Sequence, residues 1–137
     1  MKKNVIIIDD EEEIRETLGR IFKKKLKDMD VEIFVHSSAL SALDQIKALP
    51  DVALVITDVK MPEMSGLEMI EKLRDEGYRF KIICITGAPD RDEQEVELLL
   101  AESNAILEKE SNFKATEIIP KPIDVMQLIE QSKEYLK

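Results

Sequence analysis

The sequence predicts an α/β fold, with a parallel sheet of five strands covered by helices on both faces. Five short runs rich in Val and Ile recur along the 137 residues, and stretches with helical periodicity separate them. Three of these runs are almost continuously apolar, which is typical of parallel strands buried on both sides. Regular alternation of strands and helices predicts right-handed crossovers and a three-layer sandwich.

The predicted strands, numbered β1 to β5 in chain order, come from the apolar runs. Their ranges are 5–8, 31–35, 53–56, 81–85 and 117–119. The continuous apolar runs are β1, β3 and β4, as expected of parallel strands that are covered on both faces.

The predicted helices, α1 to α5, are marked by apolar residues at a spacing of three or four. The marking residues are Ile14, Leu18, Ile21, Phe22 and Leu26 for α1; Ala39, Ala42, Leu43, Ile46 and Leu49 for α2; Leu67, Ile70 and Leu73 for α3; Val96, Leu99, Leu100, Ile106 and Leu107 for α4; and Val125, Leu128, Ile129 and Leu136 for α5. We expect Ser37 or Ser38 to cap α2, Asp124 to cap α5, and Gly77 to end α3. Residues 1–137 are thus predicted to form a single domain.

Composition excludes several classes of function. The 20 Lys and Arg against 29 Asp and Glu leave a formal charge of −9, which disfavours direct binding to nucleic acid. No apolar run approaches the roughly 18 residues that a membrane span needs. The one cysteine, Cys84, excludes an internal disulfide and favours a cytoplasmic location. We interpret Cys84 as a small buried side chain and His36 as structural or exposed.

Polar residues follow the predicted strands at the edge where open parallel sheets bind ligands. DDEEE (9–13) follows β1, Asp58 follows β3, Thr86 follows β4 and Lys121 follows β5. Clustered carboxylates repel one another unless a cation joins them, and oxygen ligands suit Mg²⁺. Because Mg²⁺ takes few carboxylates and often phosphate oxygens, the pattern also indicates a phosphoryl substrate.

A carboxylate beside such a metal can itself attack phosphorus and form an aspartyl phosphate. Lys121 would then supply a positive charge to the phosphoryl oxygens, and Thr86 a hydroxyl donor. For residues 11–13 we prefer the simpler interpretation, which is an acidic first helical turn favoured by the helix dipole.

The sequence resembles the receiver domain of bacterial response regulators, the CheY-like family of two-component signalling, from residue 5 to the C-terminus. The matching segments are IIIDDEEEIRETL (6–18), VITDVKMPEMSGLEMI (55–70), IICITGA (82–88) and IIPKPID (118–124). The second segment is the most specific, because an acceptor Asp is followed by Met-Pro and by a Gly that opens the next helix. The resemblance implies a doubly wound, flavodoxin-like (βα)5 fold with strand order 2-1-3-4-5.

Carried over by position, the resemblance implies that Asp58 is the phosphoacceptor and that Thr86 and Lys121 contact the phosphoryl group. The implied magnesium ligands are Asp58, Asp10 directly, Asp9 partly through water, and the backbone carbonyl of Lys60. Such a protein phosphorylates and dephosphorylates itself but serves no independent substrate. The implied partners are a sensor histidine kinase or phosphotransfer protein, and a downstream protein that contacts the α4–β5–α5 face. A homodimer through that face is a further expectation.

The sequence departs from the family in three places. Ile118 stands where an aromatic residue is usual, and Lys114-Ala115 where Gly-Ala is usual. The chain between Thr86 and Lys121 is also longer than usual, with the excess at about 90–114. The extension predicts a longer α4, a longer loop or both. One interpretation is a harmless elongation, since closure entropy grows slowly with length. Alternatively, LLLAESNAIL (98–107) forms an apolar face for a partner or a second copy.

Three other classes of function remain to be weighed. A magnesium-dependent phosphatase with an Asp nucleophile usually has a second Asp two residues on, where this chain has Lys60. A nucleotide or flavin module would need a Gly- or Ser/Thr-rich turn after β1, where DDEEE would repel a phosphate. A phosphorylation-independent scaffold is disfavoured because no site residue is missing.

Overall fold

The computed structural model describes residues 2–58, 61, 63–78, 80–86, 117–120 and 124–137, with residues 67, 86 and 117–120 described by their backbone alone. The strands are β1 (Lys3–Ile8), β2 (Val31–His36), β3 (Val52–Asp58), β4 (Lys81–Thr86) and β5 (Glu117–Pro120). The helices are α1 (Glu12–Lys25), α2 (Ala39–Ala48), α3 (Gly66–Asp75) and α5 (Val125–Leu136). The predicted α4 and the predicted extension at 90–114 lie outside the described residues.

The five strands form one parallel sheet in the order β2-β1-β3-β4-β5. The predicted α/β class and strand order are therefore confirmed. The three interior strands β1, β3 and β4 are those that contain the continuous apolar runs VIII, ALVI and IICI.

The side chains of each strand point alternately to the two faces of the sheet, where they pack into two separate apolar cores. On one face, Ile6, Val55 and Ile82 pack with the buried residues of α2 and α3. On the other face, Ile7 and Ile56 pack with the buried residues of α1 and α5. Helices thus cover both faces of the sheet. The carboxyl ends of the strands are where we expect a binding site.

The residues that the sequence predicts to cap or end helices lie at the observed helix ends. Ser38 caps α2 by accepting a hydrogen bond from the Ser41 N–H at 3.2 Å, and Asp124 caps α5 through the Gln127 N–H at 3.2 Å. Gly77 follows the end of α3 in the left-handed region, with φ of 93°, as expected of a helix-ending glycine. These three predictions are confirmed.

The strand bounds differ from the prediction at the site. The sequence predicts that β3 ends at residue 56 with Asp58 just beyond it, but the strand continues through Asp58. Pairing extends it, because Thr57 lies opposite Ile8 of β1 and Cys84 of β4, and Asp58 lies opposite Ile85. Asp58 is therefore held by the sheet itself rather than by a loop.

In the part of the chain that the structure describes, every helix is too short or too polar to cross a membrane.

Candidate functional site

The register of the sheet brings two predicted site residues together. Ile8 of β1 lies opposite Thr57 of β3, so Asp9 and Asp58 are the next residues of two neighbouring strands. Asp10 follows Asp9 directly in the short turn that leads into α1. The convergence of residues far apart in sequence is thus a direct result of parallel pairing.

The carboxylates of Asp9, Asp10 and Asp58 form a compact acidic cluster. One oxygen from each residue lies within 4.8 Å of the others. Asp9 and Asp58 are only 1% and 5% exposed, whereas Asp10 is exposed to solvent. Water therefore has access from the Asp10 side, while the other two carboxylates are mostly surrounded by protein.

The position of Asp9 is fixed by the turn between β1 and α1. Its Oδ1 accepts the backbone N–H of Glu11 at 2.9 Å. Its backbone carbonyl accepts a hydrogen bond from the Arg15 guanidinium at 3.1 Å, and its N–H donates to the His36 carbonyl at 3.1 Å. These contacts join Asp9 to α1 and to the end of β2, so the side chain is pre-positioned.

The position of Asp58 is fixed by the start of α3. The Thr57 hydroxyl is fully buried and donates to the Asp58 carbonyl at 3.0 Å. A methyl group added at Gly66 would meet that carbonyl at 2.3 Å and Thr57 Oγ1 at 2.8 Å. Gly66 is therefore required by close approach of the helix to the tip of β3.

The turn between β3 and α3 contains a residue in an unfavourable conformation. Glu63 has φ of 70°, in the left-handed region that glycine or asparagine adopts more readily. Met61 on the same turn is buried against the α2–α3 core, and Ser65 caps α3 through the Glu68 N–H at 3.1 Å. A buried anchor and a helix cap thus hold the turn around an exposed strained residue.

The other predicted site residues are only partly described. The backbone of Thr86 ends β4 beside the tip of β3, one residue after the Asp58 partner Ile85. Lys60 and Lys121 lie outside the described residues, although Lys121 directly follows the last residue of β5. The assigned roles of Thr86, Lys60 and Lys121 stay predictions.

The acidic cluster fits a magnesium ion in its donor chemistry and its size. All three ligands are carboxylate oxygens, which Mg²⁺ prefers. Two oxygens on opposite sides of an octahedral Mg²⁺ are about 4.2 Å apart, since each lies about 2.1 Å from the ion. The three carboxylate oxygens lie within 4.8 Å of one another, which is a spacing of the same order.

Some contacts at the site have no clear pattern in the sequence. The Arg15 contact to the Asp9 carbonyl and the Thr57 contact to the Asp58 carbonyl depend on the local backbone conformation at the ends of β1 and β3. The acidic residues Glu12 and Glu13 occupy the first turn of α1, as the helix-dipole interpretation expects. Cys84 is fully buried, and the ring nitrogens of His36 contact Ser41 and Gln45.

Comparison with known proteins identifies the class. The sequence matches the model of the response regulator receiver domain over residues 5–133. The chain therefore belongs to the receiver domain family of two-component response regulators, as its motifs predict. The match extends from within β1 into the last turns of α5, and so contains all three carboxylates of the cluster.

Individual relatives agree with this family. Sporulation initiation phosphotransferase F of Bacillus subtilis is 26% identical over 137 residues, covering 99% of this chain and 95% of that protein. The transcriptional regulatory protein FixJ of Rhizobium meliloti is 32% identical, covering 96% of this chain and 57% of that protein. FixJ of Azorhizobium caulinodans is 35% identical over 86 residues, 63% of this chain and 38% of that protein. The chain thus spans almost all of the first of these relatives, but only 57% and 38% of the two FixJ proteins.

Solved structures share the fold. The FixJ-N crystal structure superposes with a TM-score of 0.71 at 26% identity, covering 98% of this chain and 94% of that chain. A LuxR-family DNA-binding response regulator from Staphylococcus aureus gives a TM-score of 0.72 at 21% identity, with 98% of each chain covered.

Proposed function

We propose that this receiver domain is a phosphorylation switch in which Asp58 accepts a phosphoryl group from a histidine kinase or a phosphotransfer protein, with Mg²⁺ required. The observation that carries the proposal is the convergence of Asp9, Asp10 and Asp58 within 4.8 Å at the carboxyl edge of the sheet. Family membership supports it, because receiver domains generally bind Mg²⁺ at an acidic pocket.

In this proposal, Asp58 is the nucleophile. One of its carboxylate oxygens forms a bond to phosphorus, while the bond from phosphorus to the donor's imidazole nitrogen breaks and leaves its electron pair on nitrogen. The strand and the Thr57 hydroxyl hold the Asp58 backbone, so the carboxylate needs little reorganisation to reach an incoming group.

Asp9, Asp10 and Asp58 would hold the Mg²⁺, with the Lys60 carbonyl as a further proposed ligand. When bound, the ion neutralises charge on the carboxylates and on the transferring phosphoryl oxygens. The Glu11 N–H orients Asp9 for this role by holding its Oδ1. Thr86 and Lys121 are the proposed phosphoryl contacts, since they follow or end the two strands beyond β3.

The proposed output is a change in the α4–β5–α5 face that alters protein–protein contacts. A downstream protein or a second copy of the chain would contact this face. Ile118 of β5 stands where relatives usually have an aromatic residue, so we propose that any coupling to Thr86 runs through packing of aliphatic side chains. The extension predicted at 90–114 neighbours this face in sequence and stays a proposed part of it.

Intact-protein mass spectrometry tests the proposed acceptor. We expect the protein to gain the mass of one phosphoryl group when it is incubated with Mg²⁺ and acetyl phosphate, and to lose it in hydroxylamine. Asp58→Asn should not gain this mass, and EDTA should prevent the gain in the wild type. Asp51→Asn is the matched control, because Asp51 lies just before the opposite end of the same strand.

Two outcomes would contradict the proposal. One is no gain of mass in the wild type with acetyl phosphate or with any histidine kinase tested. The other is labelling of Asp58→Asn to the same extent as Asp51→Asn, which would place the acceptor elsewhere.

A further inference from the structure

The C-terminal end of α1 carries a concentration of positive charge in an acidic protein. Lys23, Lys24 and Lys25 occupy the last turn of α1, and Lys27 follows it; all four are exposed. Lysines in a last helical turn complement the helix dipole, which explains their presence in part. The dipole does not explain why two of them border a cavity.

That cavity is a groove between the end of α1 and the start of β2, with a volume of about 290 Å³. Its floor is apolar, because it is lined by the buried side chains of Phe22, Leu26 and Ile33 and by the half-buried side chain of Val31. Its rim is charged, with Lys23 and Lys27 on the α1 side and Glu32 on the β2 side. We name it the α1–β2 groove.

We propose that the α1–β2 groove binds an acidic peptide segment of a partner protein, with one apolar side chain of that peptide on its floor. Charge complementarity to Lys23 and Lys27 selects acidic residues on the α1 side, and Glu32 disfavours them on the β2 side. The volume lies at the lower end of the roughly 300–1,000 Å³ of small-molecule pockets, which suits a single side chain better than a cofactor.

Two features favour a peptide over a membrane surface. Membrane-binding faces insert apolar side chains that protrude, whereas the apolar residues of this groove form its buried floor. Among the described strands, β2 also stands at the end of the sheet order and has a neighbouring strand on one side only. An edge strand offers backbone N–H and C=O groups to an extended peptide.

The α1–β2 groove is separate from the proposed phosphorylation site. It borders the first residues of β2, whereas the last residue of that strand, His36, is the one whose carbonyl accepts the Asp9 N–H. The two sites therefore lie at opposite ends of β2. Peptide binding should not require Asp58, so Asp58→Asn should bind as well as the wild type does.

Fluorescence anisotropy with labelled model peptides tests the groove. The probes are the peptide DEDFDED and a matched peptide DEDSDED, in which Ser replaces the central Phe. We expect DEDFDED to bind at least about tenfold more tightly than DEDSDED, because only the Phe ring can bury apolar surface on the floor. Chemical-shift changes in the amide NMR spectrum should fall on Lys27 and on the first residues of β2.

A charge-matched pair of double variants separates the rim lysines from the general charge of the helix end. Lys23→Glu with Lys27→Glu should weaken DEDFDED binding by about tenfold or more. Lys24→Glu with Lys25→Glu makes the same change of charge in the same region but spares the groove, and should weaken binding by about threefold or less at 150 mM salt. Both are exposed substitutions, and thermal unfolding verifies that each variant is folded.

Four outcomes would overturn the proposal: no binding of DEDFDED at millimolar concentration, equal binding of the two peptides, equal losses in the two double variants, or shift changes away from the groove. Vesicles of phosphatidylcholine and phosphatidylglycerol provide the membrane alternative. If the protein binds vesicles with the same dependence on Lys23 and Lys27 but does not bind DEDFDED, the surface is a lipid site instead.

Discussion

Ile56 and Asp58 lie two residues apart in β3, on the same side of the strand, and are 0% and 5% exposed. Ile56 packs in the apolar core between the sheet and the helices α1 and α5. Asp58 instead lies within 4.8 Å of the carboxylate oxygens of Asp9 and Asp10. Two similarly buried positions of one strand therefore have different surroundings, since Ile56 lies in an apolar core and Asp58 in a cluster of carboxylates.

Ile56→Ala is expected to produce the largest loss of stability. Removing three buried carbon atoms from a closely packed core costs about 2–5 kcal/mol of unfolding free energy. Chemical denaturation with urea measures the change. Ala53→Gly, at a half-buried position of the same strand, is the control and should cost clearly less. If Ile56→Ala unfolds at the same urea concentration as the wild type, the core is not packed as described.

Gly66→Ala tests how closely α3 approaches the tip of β3. The added methyl group would meet the Asp58 carbonyl at 2.3 Å, so the helix start or the strand tip must shift. We expect a loss of about 1–3 kcal/mol from overpacking, together with slower phosphorylation by acetyl phosphate. Ser65→Ala, which removes only the cap of α3, should cost about 1 kcal/mol and label at a nearly normal rate. Equal labelling rates of the two variants would show that this close approach does not position Asp58.

The buried thiol of Cys84 shows that the interior of the sheet disfavours a charged side chain. Burial raises the pKa of its thiol from 9.0 to about 12, so the folded protein keeps the thiol neutral. The neutral thiol leaves the unfolding free energy independent of pH below pH 9. As the pH rises from 9 towards 12, the unfolding free energy falls, because the thiol then ionises in the unfolded chain but not in the folded protein. At pH 8 we expect Ellman's reagent to modify Cys84 in guanidinium but not in buffer. Rapid modification of the folded protein would contradict this burial.

Glu63→Gly is expected to have the smallest effect, and it raises stability. Glycine adopts the φ of 70° at this exposed position without the penalty that a side chain carries. We expect a gain of about 0.5–1 kcal/mol after allowing for the greater freedom of glycine in the unfolded chain. Glu63→Ala removes the same carboxylate but keeps the strain, so it should give no comparable gain. Equal thermal shifts in the two variants would mean that charge, rather than backbone strain, matters at residue 63.

Much of the fold could be predicted because its determinants are local. Continuous apolar runs mark the interior strands, and Ser38, Asp124 and Gly77 mark helix ends by their side-chain chemistry. The end of β3 could not be predicted, because Thr57 and Asp58 are polar and join the sheet only through pairing with β1 and β4. The full strand order depended on the family resemblance, since periodicity alone does not choose neighbours.

The site, like the fold, has residues that could be predicted from the sequence and supporting contacts that could not. Asp9, Asp10 and Asp58 stand out in the sequence because charged residues directly follow apolar runs. The contacts that hold them in position, such as Arg15 with the Asp9 carbonyl and Gly66 with the Asp58 carbonyl, involve residues whose types are common in many helices. Such supporting contacts become visible only when the elements are packed.

The most direct test of a cation site at the tip of β3 is the unfolding free energy of wild type and Asp58→Asn, each in EDTA and in Mg²⁺ at matched ionic strength. Mg²⁺ at ten times its dissociation constant should stabilise the wild type by about 1.4 kcal/mol relative to EDTA, because the ion binds only the folded protein. Asp58→Asn lacks one carboxylate of the cluster, so Mg²⁺ should stabilise it by much less. An equal response of both proteins to Mg²⁺, or no response of the wild type, would contradict the assignment of Asp58 to a metal-dependent acceptor site.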